Sequence, residues 1–195
     1  MGKLVLLSDG LNTSDGLNLI SKQLKNEKLK NKKIALFYEP YYSIESKLVD
    51  ACLHIGFARE NVSTSMDMNF LKKIYLADYI YMTEGNTFEI LKILREKGYI
   101  KPIKTAVENG AVYIGASAGA LIAGKDILLA ADFDRNEVGL AGKELEALGL
   151  FDGTILPHYT RRDLKAYLKK KDRSVVLGYQ KIYQVANGRI LTLFT

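Results

Sequence analysis

Short β-rich apolar runs alternate with amphipathic stretches along the first 120 residues. Residues 3–7 read as a strand, and 15–29 as a helix with Asp15 at its N-cap. Residues 34–38 form a second strand, followed by a helix on which Ile44, Leu48, Ala51 and Ile55 recur at helical spacing. Residues 61–65 predict a third strand, 69–76 a short helix and 78–82 a fourth strand. The segment Glu84-Gly85-Asn86-Thr87 then leads into a helix ending at Lys97. A helix over 101–109 and a buried strand over 111–114 complete this part. Beyond Ala120 the pattern turns to strands at 127–131, 154–156, 175–177, 182–186 and 190–194, with Asn187-Gly188 as a hairpin turn. The expected fold is α/β, a mostly parallel sheet sandwiched by helices with a C-terminal β-hairpin. Without repeat or linker, residues 1–195 are expected to form a single domain.

Composition narrows this picture only a little. Of 195 residues, 48% are hydrophobic and 26% charged, as in ordinary globular chains. The apolar run at the N-terminus is too short for a secretory signal, and no stretch approaches the roughly 18 apolar residues of a membrane span. Cys52 is the only cysteine, which excludes an intramolecular disulfide and a cysteine-based metal cluster. A cytoplasmic location without membrane partner is expected. The net charge of +6 raises the question of nucleic acid. Its lysines fall on predicted helix faces, as over 22–33 and 165–171, and no aromatic-basic recognition motif accompanies them. A solvated basic surface is the reading, and no nucleic-acid partner is expected.

The candidate chemistry sits in Gly115-Ala116-Ser117-Ala118-Gly119, between an apolar strand and a helix. A Gly-x-Ser-x-Gly elbow needs small residues because the backbone reverses sharply with the serine at its apex. In a parallel sheet, loops at the carboxyl ends of strands are where ligands meet the protein. The helix that follows can favour an anionic intermediate with its first N–H groups.

A serine hydroxyl needs a base to take its proton, and histidine is the usual one. Only His54 and His158 are present. His54 falls opposite the apolar stripe of its helix and reads as solvent-facing. His158 follows the apolar run Ile155-Leu156-Pro157 at a strand's carboxyl end and is the candidate base. Asp132, Asp134, Asp152 and Asp163 are all available to orient the imidazole, and chemistry alone selects none of them.

Three blocks occur in order: Tyr81-Met82-Thr83-Glu84-Gly85-Asn86-Thr87-Phe88, Gly115-Ala116-Ser117-Ala118-Gly119-Ala120 and Leu156-Pro157-His158-Tyr159. Together they resemble peptidase family S51, which includes dipeptidase E (aspartyl dipeptidase) and cyanophycinase. The resemblance spans nearly the whole chain and implies a class I glutamine amidotransferase-like α/β sandwich. It implies a serine exopeptidase with Ser117 as nucleophile, His158 as base and the backbone N–H groups of Gly85 and Ala118 as oxyanion hole. Two departures stand out. Glu84 replaces the first glycine of the family's Gly-Gly-Asn, and Gln180 falls where the family commonly places its acid. An aspartate nearer the elbow, Asp132 or Asp134, is the other candidate for that role.

The expected protein is thus a serine peptidase acting on small peptides, Asp-X dipeptides among them, as monomer or homodimer, with neither metal nor organic cofactor. Asn86, Arg161 and Arg162 are the substrate-binding candidates; the fork of a guanidinium suits an aspartyl side chain. The alternatives are a catalytically weakened binding protein on the same scaffold and a serine esterase or amidase.

Overall fold

The computed structural model describes residues 3–39, 44–151, 154–159, 174–178, 182–186 and 189–194. Strands β1 (Leu4–Leu7), β2 (Ile34–Phe37), β3 (Val62–Thr64), β4 (Tyr79–Met82) and β5 (Val112–Ala116) are all parallel, in the order β3-β2-β4-β5-β1. Between them run helices α1 (Ser14–Leu24), α2 (Glu45–Ile55), α3 (Phe70–Tyr75), α4 (Thr87–Glu96) and α5 (Ile100–Glu108), and α6 (Ala118–Ile122) follows β5 at once. Every residue of β1, β2 and β4 is buried, as expected of strands covered on both faces.

Alternation along each strand feeds two separate cores. Leu4, Leu6, Phe37, Ile80, Met82 and Tyr113 face one way and pack with apolar residues of α3 to α6. Val5, Leu7, Leu36, Tyr81, Ile114 and Ala116 face the other way and pack with residues of α1 and α2. Each fully buried leucine or isoleucine contributes about 1.5–3 kcal/mol, so the alternation fixes strand register firmly. A one-residue slip would exchange the two faces.

The remaining described strands extend this frame. β8 (Ile182–Ala186) joins the free side of β1 antiparallel, and β9 (Arg189–Phe194) pairs antiparallel with β8. β6 (Thr154–Tyr159) and β7 (Ser174–Gly178) form a separate parallel pair whose register shifts between Leu156 and Tyr159. The expected α/β class, parallel sheet and C-terminal antiparallel pair are all present; the turn residues Asn187 and Gly188 lie outside the described residues.

Two local expectations are corrected. The apolar run 127–131 is not a strand; Leu128–Asp132 is a 3₁₀ turn. Ile127 and Ala130 are buried while Leu128 is 60% exposed, a period of three rather than two. Helix α1 is capped by Thr13, whose side chain accepts the Gly16 N–H, rather than by Asp15, and it stops at Leu24. Leu29 is buried from a separate 3₁₀ turn, Leu29–Asn31. An apolar residue can reach the core from such a turn without prolonging the helix.

Candidate active site

Strand β5 lies between β4 and β1, so the turn at its carboxyl end is flanked by the loops of both neighbours. Ser117 occupies that turn with φ 49° and ψ −109°, a conformation that a non-glycine residue seldom adopts. Its neighbours make the turn possible by being small. A Cβ on Gly115 would lie 2.5 Å from the Gly119 carbonyl oxygen, and one on Gly119 would collide with the Met82 carbonyl. The turn is held by its backbone: Ser117 N–H donates to Leu7 O at 2.9 Å, and Gly119 N–H to Thr83 O at 3.2 Å. From the core side, the Tyr113 hydroxyl donates to Gly119 O at 2.7 Å. Burial pushes that phenol's pKa up, so it stays a neutral donor.

His158 approaches Ser117 from β6. The register shift in β6 falls on Pro157 and His158; Pro157 has no N–H to give to a ladder, and His158 takes φ 62°. The kink brings His158 Nε2 to 2.7 Å from Ser117 Oγ. With Nε2 unprotonated, the serine hydroxyl donates to it, which is the arrangement a base-activated nucleophile requires.

Both residues are tied to the end of β1. Leu7 accepts the Ser117 N–H, and the next residue, Ser8, accepts the His158 N–H on its hydroxyl oxygen at 2.9 Å. Ser8 is buried. Two consecutive residues thus set the spacing between the serine and the histidine. Sequence reasoning did not single out Ser8; the only signal is a small polar residue at the carboxyl end of a strand.

The loop after β1 is held in turn by β4, across the top of β5. The Tyr81 hydroxyl accepts the Leu11 N–H at 2.9 Å. Burial, and then the nearby Glu84 carboxylate, push the Tyr81 pKa well up. Glu84 accepts the Gly10 N–H on one oxygen and Asn12 Nδ2 on the other, the latter at 2.6 Å. Gly10 permits this closeness: a Cβ there would collide with the Tyr81 hydroxyl and lie 2.5 Å from the Ala116 Cβ. Gly85 follows with φ 143°, a glycine-only conformation at the position assigned to the oxyanion loop.

Asn86 and Asp134 are engaged at the start of α4. The Asn86 side chain accepts from Phe88 N and Glu89 N as the N-cap, and donates to Arg135 O at 2.9 Å. Asp134 Oδ2 accepts from Thr87 N at 2.9 Å and Thr87 Oγ1 at 2.6 Å. These contacts fasten the loop after α6 to the loop carrying Gly85. They use the Asn86 amide and one Asp134 oxygen structurally, which sequence reasoning assigned to substrate and to the histidine. Asp132 lies in the adjoining 3₁₀ turn and is exposed. Gln180, Arg161 and Arg162 lie outside the described residues, as do Asp152 and Asp163. His54 is exposed on α2, on an element apart from the serine.

Among the described residues, no three His, Cys, Asp or Glu side chains cluster as metal ligands would, and no helix is long and apolar enough to cross a membrane. The two described surface cavities, one beside β3 and one at the start of α2, lie on elements other than those carrying Ser117 and His158.

Comparison with known proteins finds relatives of the chain and of its fold. The sequence profile described as Peptidase family S51 matches residues 4–193. An uncharacterized peptidase of Listeria monocytogenes is 34% identical over 115 residues, covering 59% of this chain and 56% of its own length. Peptidase E of Citrobacter koseri is 41% identical over 85 residues, 43% of this chain and 35% of its own length. The chain therefore spans about half or less of the length of these curated relatives. Among solved structures, a candidate Peptidase E protein from Listeria monocytogenes EGD-e superposes with a TM-score of 0.77 at 23% identity, covering 98% of this chain and 97% of that one. A peptidase from an acI-B1 Actinobacterium gives 0.66 at 13% identity over 95% and 83%. These two likenesses establish a shared fold.

Proposed function

The chain belongs to peptidase family S51, and from that premise we propose that it is a serine exopeptidase hydrolysing short peptides, with Ser117 as nucleophile and His158 as base. The observation that carries this reading is the 2.7 Å approach of His158 Nε2 to a serine hydroxyl at the apex of a strand-to-helix elbow.

In this mechanism Ser117 Oγ attacks the carbonyl carbon of the scissile bond while its proton passes to His158 Nε2. The carbonyl oxygen becomes an oxyanion facing the backbone N–H groups of Gly85 and Ala118. Collapse of the tetrahedral intermediate breaks the C–N bond, and the imidazolium gives its proton to the leaving amine. A water then gives a proton to the same nitrogen, attacks the acyl-serine ester and releases the acid, restoring the serine.

Asp-X dipeptides are the substrate class favoured by the family resemblance, with Arg161 or Arg162 to take the aspartyl carboxylate. Digestion of a dipeptide and tripeptide library by the purified chain, read by mass spectrometry, tests both levels. Release of N-terminal residues by the wild type and not by Ser117→Ala supports the exopeptidase. Indifference to aspartate at the first position would overturn the Asp-X preference alone, and an inert wild type would overturn the peptidase.

A further inference from the structure

Glu84 stands on the loop after β4 yet spends its carboxylate on the loop after β1, two strands away in the sheet. The elbow after β5 lies between the two loops. The crossing is possible because Ala116 is small and position 10 has no side chain. One oxygen takes the Gly10 N–H and the other takes Asn12 Nδ2. A carboxylate suits this task because it only accepts, and it offers two oxygens to two donors. An amide in its place would set an NH₂ against one of them.

The held loop begins with Ser8, two residues before Gly10. Ser8 Oγ is the acceptor for the His158 N–H, and His158 sits in a left-handed conformation at the kink of β6. A non-glycine residue in that region is held by its surroundings rather than by its own preference. We infer that Glu84 is a positioning residue for the base: by clasping Gly10 and Asn12 it fixes Ser8, and through Ser8 it fixes the backbone of His158 and the reach of Nε2 to Ser117. The inference rests on the reading of Ser117 and His158 as nucleophile and base, but the geometry of the clasp is independent of the substrate.

The test compares Glu84→Gln, Ser8→Ala and the double variant in the full chain, by two readouts. The first is hydrogen exchange of the His158 amide, which judges the clasp whether or not the chain hydrolyses peptides. The second is peptide hydrolysis, with kcat and KM separated. Misplacement of a catalytic group by a fraction of an ångström to 1 Å costs up to about 100-fold, so each single variant is expected to lower kcat about tenfold, with KM within about twofold. His158 amide exchange should rise in both. Because the two residues act in series, the double variant should be no worse than the worse single one. Asn12→Ala removes one of the two donors without altering the carboxylate. It should act in the same direction and more weakly, which guards against misfolding of the other variants. Wild-type exchange at His158 in Glu84→Gln would overturn the inference. So would single effects that multiply in the double variant, because Glu84 would then act through Gly85 or on substrate rather than through Ser8. An inert wild type with faster His158 exchange in both single variants would overturn the peptidase reading and leave the clasp standing.

Discussion

Strand β4 has a carboxylate at each end, and the two make the same kind of contact in different surroundings. Asp78, just before the strand, accepts the Lys33 N–H at 2.9 Å and the Lys32 ammonium at 2.8 Å. Glu84, just after it, accepts the Gly10 N–H and the Asn12 amide. At the Asp78 end the partner is a cation, and the pair is open to water. Burial pushes the Asp78 pKa up, but the hydrogen bonds from Lys32 and Lys33 and their charges outweigh it and hold the carboxyl below its usual range. At the Glu84 end both partners are neutral, and the neighbourhood is crowded. Gly85, Ser117 and His158 all have positive φ, and Gly10, Gly115 and Gly119 have no room for a Cβ. The two that are not glycine, Ser117 and His158, are strained there at about 1–3 kcal/mol each and persist only where their surroundings over-determine them. One strand thus ends in an ordinary surface clasp on one side and a pre-organised site on the other. The difference lies in how much each clasp has to hold in place.

The largest expected effect breaks the crowded end chemically. Ser117→Ala should lower peptide hydrolysis at least about 10³-fold while the chain stays folded, as removal of a nucleophile does elsewhere. Turnover assays beside circular dichroism check both halves. Gly119→Ala breaks the same end sterically. Its Cβ would meet the Met82 carbonyl and lie 2.9 Å from the Met82 side chain, so the elbow must move; a loss of about 3 kcal/mol is expected, the upper part of the overpacking range. Urea denaturation measures it.

Tyr81→Phe is milder. It strands the Leu11 N–H that the hydroxyl accepts, for about 1–2 kcal/mol in the same denaturation assay, within the usual cost of an unmatched buried donor. Asp78→Asn, at the open end, should have the smallest effect, and that effect should depend on pH. A carboxyl whose folded pKa is depressed stabilises the fold above its unfolded value, near 3.9. That stabilisation fades as pH falls through the lower folded value. Thermal midpoints of wild type and Asp78→Asn should therefore differ slightly at neutral pH and converge in acid. A gap that does not shrink as the pH falls would contradict the assignment.

Much of this was legible in the sequence because it depends on short-range pattern. Strands β1, β2 and β4 are apolar runs buried on both faces, and the helical spacing of Ile44, Leu48, Ala51 and Ile55 marks α2, although Ile44 itself is its exposed N-cap. The elbow announces itself through residue size at Gly115, Ala116, Ala118 and Gly119. What pattern cannot carry is pairing at long range. Ser8 looks like loop filler until His158, 150 positions away, donates to it. Glu84 reads as an unusual charge beside an oxyanion loop until its partners at 10 and 12 are seen. The run 127–131 misled because five consecutive apolar residues carry no period of their own. Burial of only Ile127 and Ala130 was decided by the turn they pack in. Asn86 and Asp134 were read as site chemistry, and the contacts at α4 show how much of their polar capacity goes into joining two loops.

The central claim is that Ser117 is a nucleophile activated by His158, and covalent trapping tests it most directly. The purified chain would be treated with a fluorophosphonate and the modified residue located by peptide mapping, in wild type and in His158→Ala. The account predicts a single adduct on Ser117 and a labelling rate at least about 100-fold lower in His158→Ala, in keeping with the usual contribution of a general base. An unlabelled wild type, an adduct on another serine, or equal rates with and without His158 would contradict it.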